Sequence, residues 1–270
     1  MKKLTSIFMI VVVGFLFNHV NAIAQNVATP NGILQEQNTM SVLWFQKAGE
    51  AKALYYQGYM IGKMRLDEIL GKRPKKKVLK PAIVLDIDET ILDNSPKYAG
   101  SVVSGKAKSW KDWINGNEAK PLPGAIDFLK YADSKGVAIY YITNRNVAEK
   151  SATIKNLQHV GAPQADTNHV LLKQPNEKGK EARRQQVAKT HEILLLFGDN
   201  LGDFSEFDQL SAAERLEAVD KHKEEFGQKL IVFPNPMYGD WEGALYENNF
   251  SKSDKDKAKL RKAQLILSQP

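Results

Sequence analysis

Residues 83–90, IVLDIDET, set the architecture of this chain, because an apolar strand runs directly into two carboxylates. Asp86 and Asp88 are spaced two apart, which places both side chains on one face of an extended strand. A bend at the strand's end lets the pair diverge around one bound group. Two like charges this close are unfavourable unless a cation or a proton compensates them. A strand followed by an ordinary polar turn is the alternative, and the downstream segments distinguish the two.

Five short apolar runs, separated by segments with a helical pattern, predict an α/β fold. The predicted strands lie at 82–87, 137–142, 168–172, 193–197 and 229–233, and the predicted helices lie near 123–135, 147–160, 178–190 and 209–226. Short apolar strands without polar alternation, each followed by a helix, are typical of a parallel sheet covered on both faces. We therefore predict a doubly wound parallel sheet.

The segments around this core carry three further patterns. Residues 41–70 have apolar side chains at helical intervals, but Gly58 and Gly62 weaken the pattern, so one long helix with a break and two shorter helices both remain open. Residues 98–120 form an insertion that is too short for a domain, and we expect a small cap. Residues 251–267 predict a charged helix packed on the outside.

Composition limits the classes of function. The 270 residues are 43% hydrophobic and 26% charged, which suits one globular domain with additions or two small domains. The net charge of +7 mildly favours anionic small molecules or surfaces, with a solvated basic exterior as the alternative. The basic run at 71–77 has no aromatic platform, so we expect a solvated turn and no nucleic acid polymer as a partner. The chain has no cysteine, which excludes disulfides, thiolate nucleophiles and cysteine-held metals.

Residues 1–24 have the pattern of a secretory signal peptide. Lys2 and Lys3 precede an apolar run at 7–17, and a small-x-small cleavage site follows at 22–24. The apolar run is too short to span a bilayer comfortably, although a retained N-terminal anchor is the alternative. We expect a mature protein that is exported, periplasmic or secreted, with no stable membrane anchor. With no cysteine after the signal, we do not expect a lipid-anchored form.

Polar side chains follow four successive predicted strands at the edge where an open parallel sheet binds its ligands. They are Asp86 and Asp88 after the first strand, Thr143, Asn144 and Arg145 after the second, Lys173, Lys180 and Arg183 after the third, and Asp199 and Asp203 after the fourth. Each has a simpler explanation taken alone, such as a helix cap, a surface lysine or a turn. Together, at four strand ends, they indicate one site.

This set of side chains suits phosphoryl transfer. Clustered carboxylates without histidine or cysteine select a hard cation, and Mg²⁺ is the first expectation. Such a cation screens the phosphate so that an anionic nucleophile can approach it. A carboxylate can attack phosphorus and form an aspartyl-phosphate, while a hydroxyl and a lysine are suitable donors to the equatorial oxygens.

The two acidic motifs, DIDETILDN at 86–94 and GDNLGDF at 198–204, resemble the paired signatures of class C acid phosphatases in the haloacid dehalogenase superfamily. The resemblance covers most of the mature chain and includes residues 43–45, 143–145 and 234–242. It implies a secreted, Mg²⁺-dependent phosphomonoesterase that is most active at acidic pH and often prefers 5′-nucleotides. We expect a single phosphatase domain at 25–270.

Within that domain we place the core at about 78–235 and the small cap at about 98–120. The resemblance also implies a homodimer, because family members dimerise, although no feature of the sequence defines a dimer surface. The alternatives are a phosphotransferase or phosphomutase and a non-enzymatic nucleotide-binding or storage protein on the same fold. The presence of Asp86 argues against the non-enzymatic alternative.

The resemblance also implies a role for each acid. Asp86 is similar to the family's nucleophile. Asp88 is similar to the acid that protonates the leaving oxygen, then the base that activates water, and its backbone carbonyl is an implied metal ligand. Asp199 corresponds to the third protein ligand of the metal, and Asp203 to a residue that holds the metal or its waters.

The remaining implied roles concern phosphate and substrate. Thr143 corresponds to a ligand of the transferring phosphoryl group. Lys180 fits the family's lysine-to-arginine spacing and is the first choice for the catalytic lysine, with Lys173 second. Trp113 and Tyr238 resemble the aromatic pair that sandwiches a nucleobase, with ordinary packing aromatics as the alternative. The expected substrate-binding set is Trp113, Asn144, Arg145 and Tyr238.

Overall fold

A computed structural model describes residues 32–74, 79–106 and 108–268 of the chain. The predicted signal at 1–24, the predicted start of the mature protein at residue 25 and residues 75–77 of the basic run lie outside the described residues. Among the residues that are described, no helix combines the length and the apolar character needed to cross a bilayer.

The centre of the fold is a parallel five-stranded sheet with the order β5-β4-β1-β6-β7. Its strands are β1 (Lys80–Leu85), β4 (Ala138–Asn146), β5 (Val170–Lys173), β6 (His191–Gly198) and β7 (Leu230–Val232), while β2 (Leu92–Asp93) and β3 (Lys120–Pro121) form a separate antiparallel pair. Strand β1 is central, with Leu85 aligned to Tyr141 on one side and to Phe197 on the other. The five strands correspond to the five predicted runs.

Both faces of the sheet are buried, because neighbouring residues of β1 pack into different apolar clusters. Ile83 and Leu85 belong to the larger cluster, which contains Phe128 of the helix α6 (Ala125–Ser134). Ala82 and Val84 belong to the smaller cluster with Val187 of the helix α8 (Glu181–Ala188). The doubly wound α/β prediction is confirmed.

Nine more helices surround this core or extend from it in the described part of the chain. They are α1 (Ile33–Glu36), α2 (Thr39–Lys47), α3 (Gly49–Lys72), α4 (Ser95–Ser104), α5 (Trp110–Gly116), α7 (Lys150–His159), α9 (Ala212–Lys221), α10 (Asp240–Ala244) and α11 (Asp254–Ala263). Short 3-10 turns occur at Val147–Glu149, Leu201–Asp203 and Lys223–Glu225. The region predicted as a cap contains most of α4 and all of α5, and α11 is the predicted C-terminal helix.

The long N-terminal helical region breaks at Ala48, not at a glycine. Ala48 has an extended ψ of 127° between α2 and α3. Gly58 and Gly62 lie inside α3, where a Cβ atom would come within 2.4 Å of the Phe233 ring and 2.6 Å of the Phe197 ring. These glycines therefore allow two aromatic rings of the core to reach the helix backbone, which outweighs their low helix propensity.

Candidate active site

Three carboxylates from two neighbouring strands converge at the carboxyl edge of the sheet. Asp86 follows β1 directly and extends its pairing, since its amide donates to the Phe197 carbonyl at 3.0 Å. Asp199 follows β6, and Asp203 ends the 3-10 turn after it. One oxygen of each carboxylate lies within 4.8 Å of the others, and all three residues are buried. The parallel sheet therefore brings acids that are more than 100 residues apart to one point.

Hydrogen-bond donors and a close-packed glycine fix the positions of two of these carboxylates. Only glycine fits at position 198, because a Cβ there would lie 2.3 Å from the Cβ of Asp203. The amide of Asn200 donates to Asp203 Oδ2 at 2.9 Å. The Asn235 side chain donates to Asp199 Oδ2 at 2.8 Å. Each carboxylate is thus oriented before any ligand binds, which lowers the cost of binding one.

Lys180 supplies a buried cation to the acids. Its Nζ atom donates to Asp86 Oδ1 and lies 2.7 Å from Asp203 Oδ1, and the residue is 3% exposed at the start of α8. Lys173, the second choice for this role, is exposed at the end of β5. Of the two lysines, the structure therefore brings only Lys180 to the carboxylates.

The charges in this cluster are not balanced. Burial raises the pKa of Asp86 to about 7 even though Lys180 opposes the rise, and Asp203 and Asp88 add to it. Burial, then Asp203 and Asp86, raise the pKa of Asp199 well above its ordinary value. Burial alone would lower the pKa of Lys180, but Asp203 and Asp86 outweigh it and raise that pKa to about 12. Three carboxylates with one ammonium form a donor set that fits a hard divalent cation.

Asp88 lies beside this cluster and has a different partner. Its carboxylate accepts from Arg145, at 2.7 Å from Nη2 and 3.0 Å from Nε, and from Asn94 Nδ2 at 2.9 Å. The third guanidinium nitrogen, Arg145 Nη1, lies 3.1 Å from Asn156 Oδ1. The guanidinium is completely buried. Arg145 lines the cavity described below, and its donors contact Asp88 and Asn156, so the residue orients the Asp88 carboxylate. Its predicted contact with substrate remains a prediction.

The two residues before Arg145 are placed differently from each other. Thr143 is fully buried, and its hydroxyl accepts from the Arg145 amide at 3.1 Å. It does not reach the lining of the cavity, so its predicted contact with the phosphoryl group remains a prediction. Asn144 is exposed and does line the cavity. Arg183 fixes this end of β4, because its Nη1 atom donates to the Thr143 carbonyl at 2.5 Å.

A cavity of about 310 Å³ opens next to the carboxylates. Its aromatic lining consists of Tyr98, Trp110, Tyr238 and Phe250. The Tyr98 and Tyr238 rings are stacked, with their centroids 4.7 Å apart. The lining thus contains two groups of residues. We call the strand-end acids Asp86, Asp199 and Asp203 the acidic side, and the four aromatic residues the aromatic side. Tyr238 lies where the sequence placed it.

Trp113 is not brought to this cavity. It is 4% exposed within the apolar core, and its indole Nε1 donates to Asn94 Oδ1 at 2.7 Å. Trp110, one helical turn earlier on α5, lines the cavity instead. Of the two predicted aromatic residues, the structure therefore brings only Tyr238 to the cavity, and Trp110 lies there in place of Trp113. Two tryptophans three residues apart on one short helix look alike in sequence, and only packing separates them.

The sequence reading missed a buried support around Glu89. This residue is fully buried with φ of 57°, a left-handed conformation that is uncommon outside glycine. Its carboxylate accepts from the Asn94 amide at 2.7 Å and from the Tyr238 hydroxyl, while its carbonyl accepts from the Tyr55 hydroxyl. Burial, then Asp88, raise the pKa of Glu89 to about 8.

Tyr55 and Tyr59 of α3 also belong to this support. The Tyr59 hydroxyl donates to the Thr90 carbonyl at 2.7 Å, next to the contact that Tyr55 makes. The only sequence signal for this role is the i, i+4 spacing of the two tyrosines, which also fits ordinary core residues. The helix α3 therefore fixes the loop that carries Asp88.

Comparisons with known proteins agree on one family. The model of the HAD superfamily, subfamily IIIB (Acid phosphatase) matches residues 13–241. Acid phosphatase 1 of Solanum lycopersicum is 26% identical over 57% of this chain and 68% of that protein. The Stem 28 kDa glycoprotein of Glycine max is 22% identical over 59% of this chain and 60% of that protein, so the chain spans less than two thirds of that relative.

Two solved structures are also similar to this chain. The class C acid phosphatase from Bacillus anthracis is 57% identical with a TM-score of 0.85, over 88% of this chain and 100% of that one. The same protein with tungstate bound is 57% identical with a TM-score of 0.84 over the same shares of the two chains.

Proposed function

This chain belongs to the acid phosphatases of HAD superfamily subfamily IIIB, which makes it a phosphomonoesterase, and we propose that it works through an aspartyl-phosphate on Asp86 with Mg²⁺ bound beside it. One observation carries the proposal. One buried point at the carboxyl edge of the sheet, next to an open cavity, brings together the side chains of Asp86, Asp199, Asp203 and Lys180. HAD acid phosphatases generally use a divalent metal, and this donor set fits one.

The reaction has two halves. In the first, an oxygen of Asp86 attacks phosphorus, the bond to the leaving oxygen breaks, and Asp88 gives that oxygen a proton. In the second, Asp88 takes a proton from a water molecule, the water oxygen attacks the phosphoenzyme, and inorganic phosphate leaves with Asp86 restored. Asp88 lies two residues from the nucleophile, and its position beside the acid cluster suits both proton transfers.

The other residues balance charge and hold geometry. The Lys180 ammonium offsets the charge of Asp86 and Asp203, so that an anionic phosphate can enter. A Mg²⁺ ion held by Asp86 and Asp199, by the Asp88 carbonyl, and by Asp203 directly or through water would neutralise phosphate charge. Arg145 orients Asp88 by contacting both of its carboxylate oxygens.

For the substrate we propose a phosphate ester whose leaving group carries an aromatic ring, such as the nucleoside of a 5′-nucleotide. The aromatic side of the cavity supports this choice, with Trp110 and Tyr238 as the surfaces on which a base could stack. Stacking discriminates weakly among bases, so several nucleotides should serve. A screen of 5′-nucleotides, 3′-nucleotides and sugar phosphates tests this. Equal kcat/KM values for nucleotides and sugar phosphates would contradict it.

We also propose that the enzyme acts outside the cytoplasm. The support is the basic, apolar and small-residue pattern of residues 1–24. Cell fractionation, with N-terminal sequencing of the recovered protein, should find it outside the cytoplasm and starting after Ala22 or Ala24. A full-length protein in the cytoplasm would contradict the proposal. The homodimer remains a prediction, which sedimentation of the purified enzyme can check.

Trapping the phosphoenzyme tests the chemical step. The enzyme is mixed with p-nitrophenyl phosphate and Mg²⁺, quenched in acid within milliseconds, and mapped by peptide mass spectrometry. We expect a phosphoryl group on the peptide containing Asp86, and more of it in Asp88→Asn, which lacks the base for the second half. A phosphoryl group on another residue, or turnover without any phosphopeptide, would contradict the mechanism. Turnover that persists unchanged after EDTA removes the metal would contradict the proposed role of Mg²⁺.

A further inference from the structure

The outer part of the cavity wall comes from the segment 240–250, near the C-terminus. This segment contributes Asp240, Glu242 and Phe250 to the lining. Phe250 is 58% exposed although its side chain is apolar. An exposed aromatic ring at the mouth of a cavity offers a contact surface to a ligand with an apolar face.

The Phe250 ring is held in a definite position. A Cβ at Gly243 would lie 2.7 Å from the tip of this ring, so the ring rests directly on the backbone of α10. Tyr246 packs edge-on against it, with an angle of 85° between the planes. The Tyr246 hydroxyl in turn donates to Glu242 Oε1 at 3.0 Å. Glu242, Tyr246 and Phe250 therefore form one unit, which we name the outer wall.

A single arginine of α11 fastens the outer wall to the rest of the protein. Arg261 donates from Nη2 to Glu242 Oε1 and from Nε to the Tyr246 hydroxyl, both at 2.5 Å. Its Nη1 atom lies 3.3 Å from the carbonyl of Leu34, which belongs to α1, and 3.2 Å from Oε1 of Gln37, which directly follows α1. The planar guanidinium can serve these four acceptors together, whereas a lysine ammonium is a single point charge. Arg261 thus connects the two terminal helices to the cavity.

We propose that Arg261 is a positioning residue for leaving-group specificity. It fixes Tyr246, and Tyr246 in turn packs against Phe250, which a bulky aromatic part of the leaving group would contact. The inference rests on the proposed placement of the reaction at this cavity. None of the contacts of Arg261 reaches Asp86, Asp199, Asp203 or Lys180. Its loss should therefore affect binding of the leaving group and spare the transfer of the phosphoryl group.

The first test compares Arg261→Met with Lys259→Met in the full chain. Lys259 is an exposed residue of the same helix, so its replacement removes the same charge without touching the outer wall. The readouts are KM and kcat for p-nitrophenyl phosphate and for glycerol 3-phosphate, which is small and aliphatic. We expect KM for the aromatic ester to rise about tenfold in Arg261→Met, with values for the small ester within about twofold of wild type. Lys259→Met should match wild type on both.

A second variant keeps the test decisive if Arg261→Met folds poorly. Phe250→Ala removes only an exposed ring, so the fold should remain intact. It should show the same selective rise in KM, and adding Arg261→Met to it should cost little more, because both changes act through one contact. Arg261→Lys should fall between wild type and Arg261→Met.

Two outcomes would overturn the inference. One is an equal loss with both esters in Phe250→Ala and in Arg261→Met, which would place the effect on the chemical step. The other is no change in KM for the aromatic ester in Phe250→Ala. Neither outcome touches the proposed mechanism, which is tested separately by the trapped phosphoenzyme and by the activity of Asp86→Asn.

Discussion

The two sides of the cavity are built by different parts of the fold. The acidic side comes from the ends of the central strands β1 and β6, where Asp86 and Asp199 are less than 10% exposed and have fixed partners. The aromatic side comes from the insertion after β1 and from the segment after β7. Its residues are more exposed to solvent, with Phe250 at 58% exposed. The proposed reaction chemistry thus lies at the ends of the sheet strands, and the proposed leaving-group contacts lie on added segments.

Asp86→Asn should have the largest effect on activity, because it removes the proposed nucleophile from the acidic side. We expect kcat to fall by about 10³-fold or more with the fold intact. Hydrolysis of p-nitrophenyl phosphate, together with a melting curve, measures both. Asp220→Asn, at an exposed position of α9, is the matched control and should behave as wild type. Near-normal turnover in Asp86→Asn would remove the distinction between the two sides.

Arg145→Lys should come second, because it disturbs the acid and leaves the nucleophile in place. The guanidinium contacts both oxygens of Asp88, and a lysine cannot reproduce that fork. We expect kcat to fall about 10- to 100-fold, with KM within about threefold of wild type. In an Asp88→Asn background, the same change should cost almost nothing further. Full additivity of the two changes would show that Arg145 acts elsewhere.

Replacing the two tryptophans of α5 should separate substrate contact from packing. Trp110→Ala should raise KM for a nucleotide about tenfold, because one stacking surface is lost. Trp113→Phe should leave KM unchanged and lower stability by about 1 kcal/mol, since it removes the hydrogen bond to Asn94. Michaelis kinetics and melting curves test the pair. The reverse pattern would return Trp113 to the substrate site.

The tryptophans also show how far the sequence could predict the molecule. The parallel sheet and the meeting of Asp86, Asp199 and Asp203 followed from short apolar runs that alternate with helical segments, and from the rule that the carboxyl ends of parallel strands share an edge. The aromatic side could not be predicted in the same way. Neither Trp110 nor Phe250 has a repeating pattern around it, and tertiary packing alone brings both of them to the cavity.

The support of the site was hidden for a similar reason. Glu89 stands in the opening motif, but the hydroxyl that donates to its carboxylate belongs to Tyr238, which lies 149 residues away. The ion pair between Arg145 and Asp88 also joins residues that no spacing rule connects. The sequence therefore predicted the acids and the lysine that the structure brings together, and it did not predict most of the residues that hold them in place.

Stability should depend on pH in the metal-free protein, and this is the smallest effect expected. Burial raises the pKa of Glu89 from its ordinary 4.5 to about 8, so between these values the folded protein holds a proton that the unfolded chain has lost. Asp86 and Asp199 shift in the same direction. Their contribution to stability is therefore present at low pH and lost as pH rises through these folded-state pKa values.

Melting curves in EDTA at about pH 5.5 and about pH 8 check this prediction. The melting temperature should be lower at the higher pH, and Glu89→Gln should flatten the difference. Added Mg²⁺ should raise the melting temperature more at the higher pH, where the carboxylates are free of protons. A metal-free protein that melts higher at pH 8 would contradict the assigned shifts.

The proposed mechanism requires one divalent cation to bind where Asp86, Asp199 and Asp203 converge. A crystal soaked with Mn²⁺ and measured for anomalous scattering tests it most directly. We expect a single strong peak in contact with the carboxylates of Asp86 and Asp199. A peak elsewhere in an active crystal, or none at all under conditions that support turnover, would contradict it.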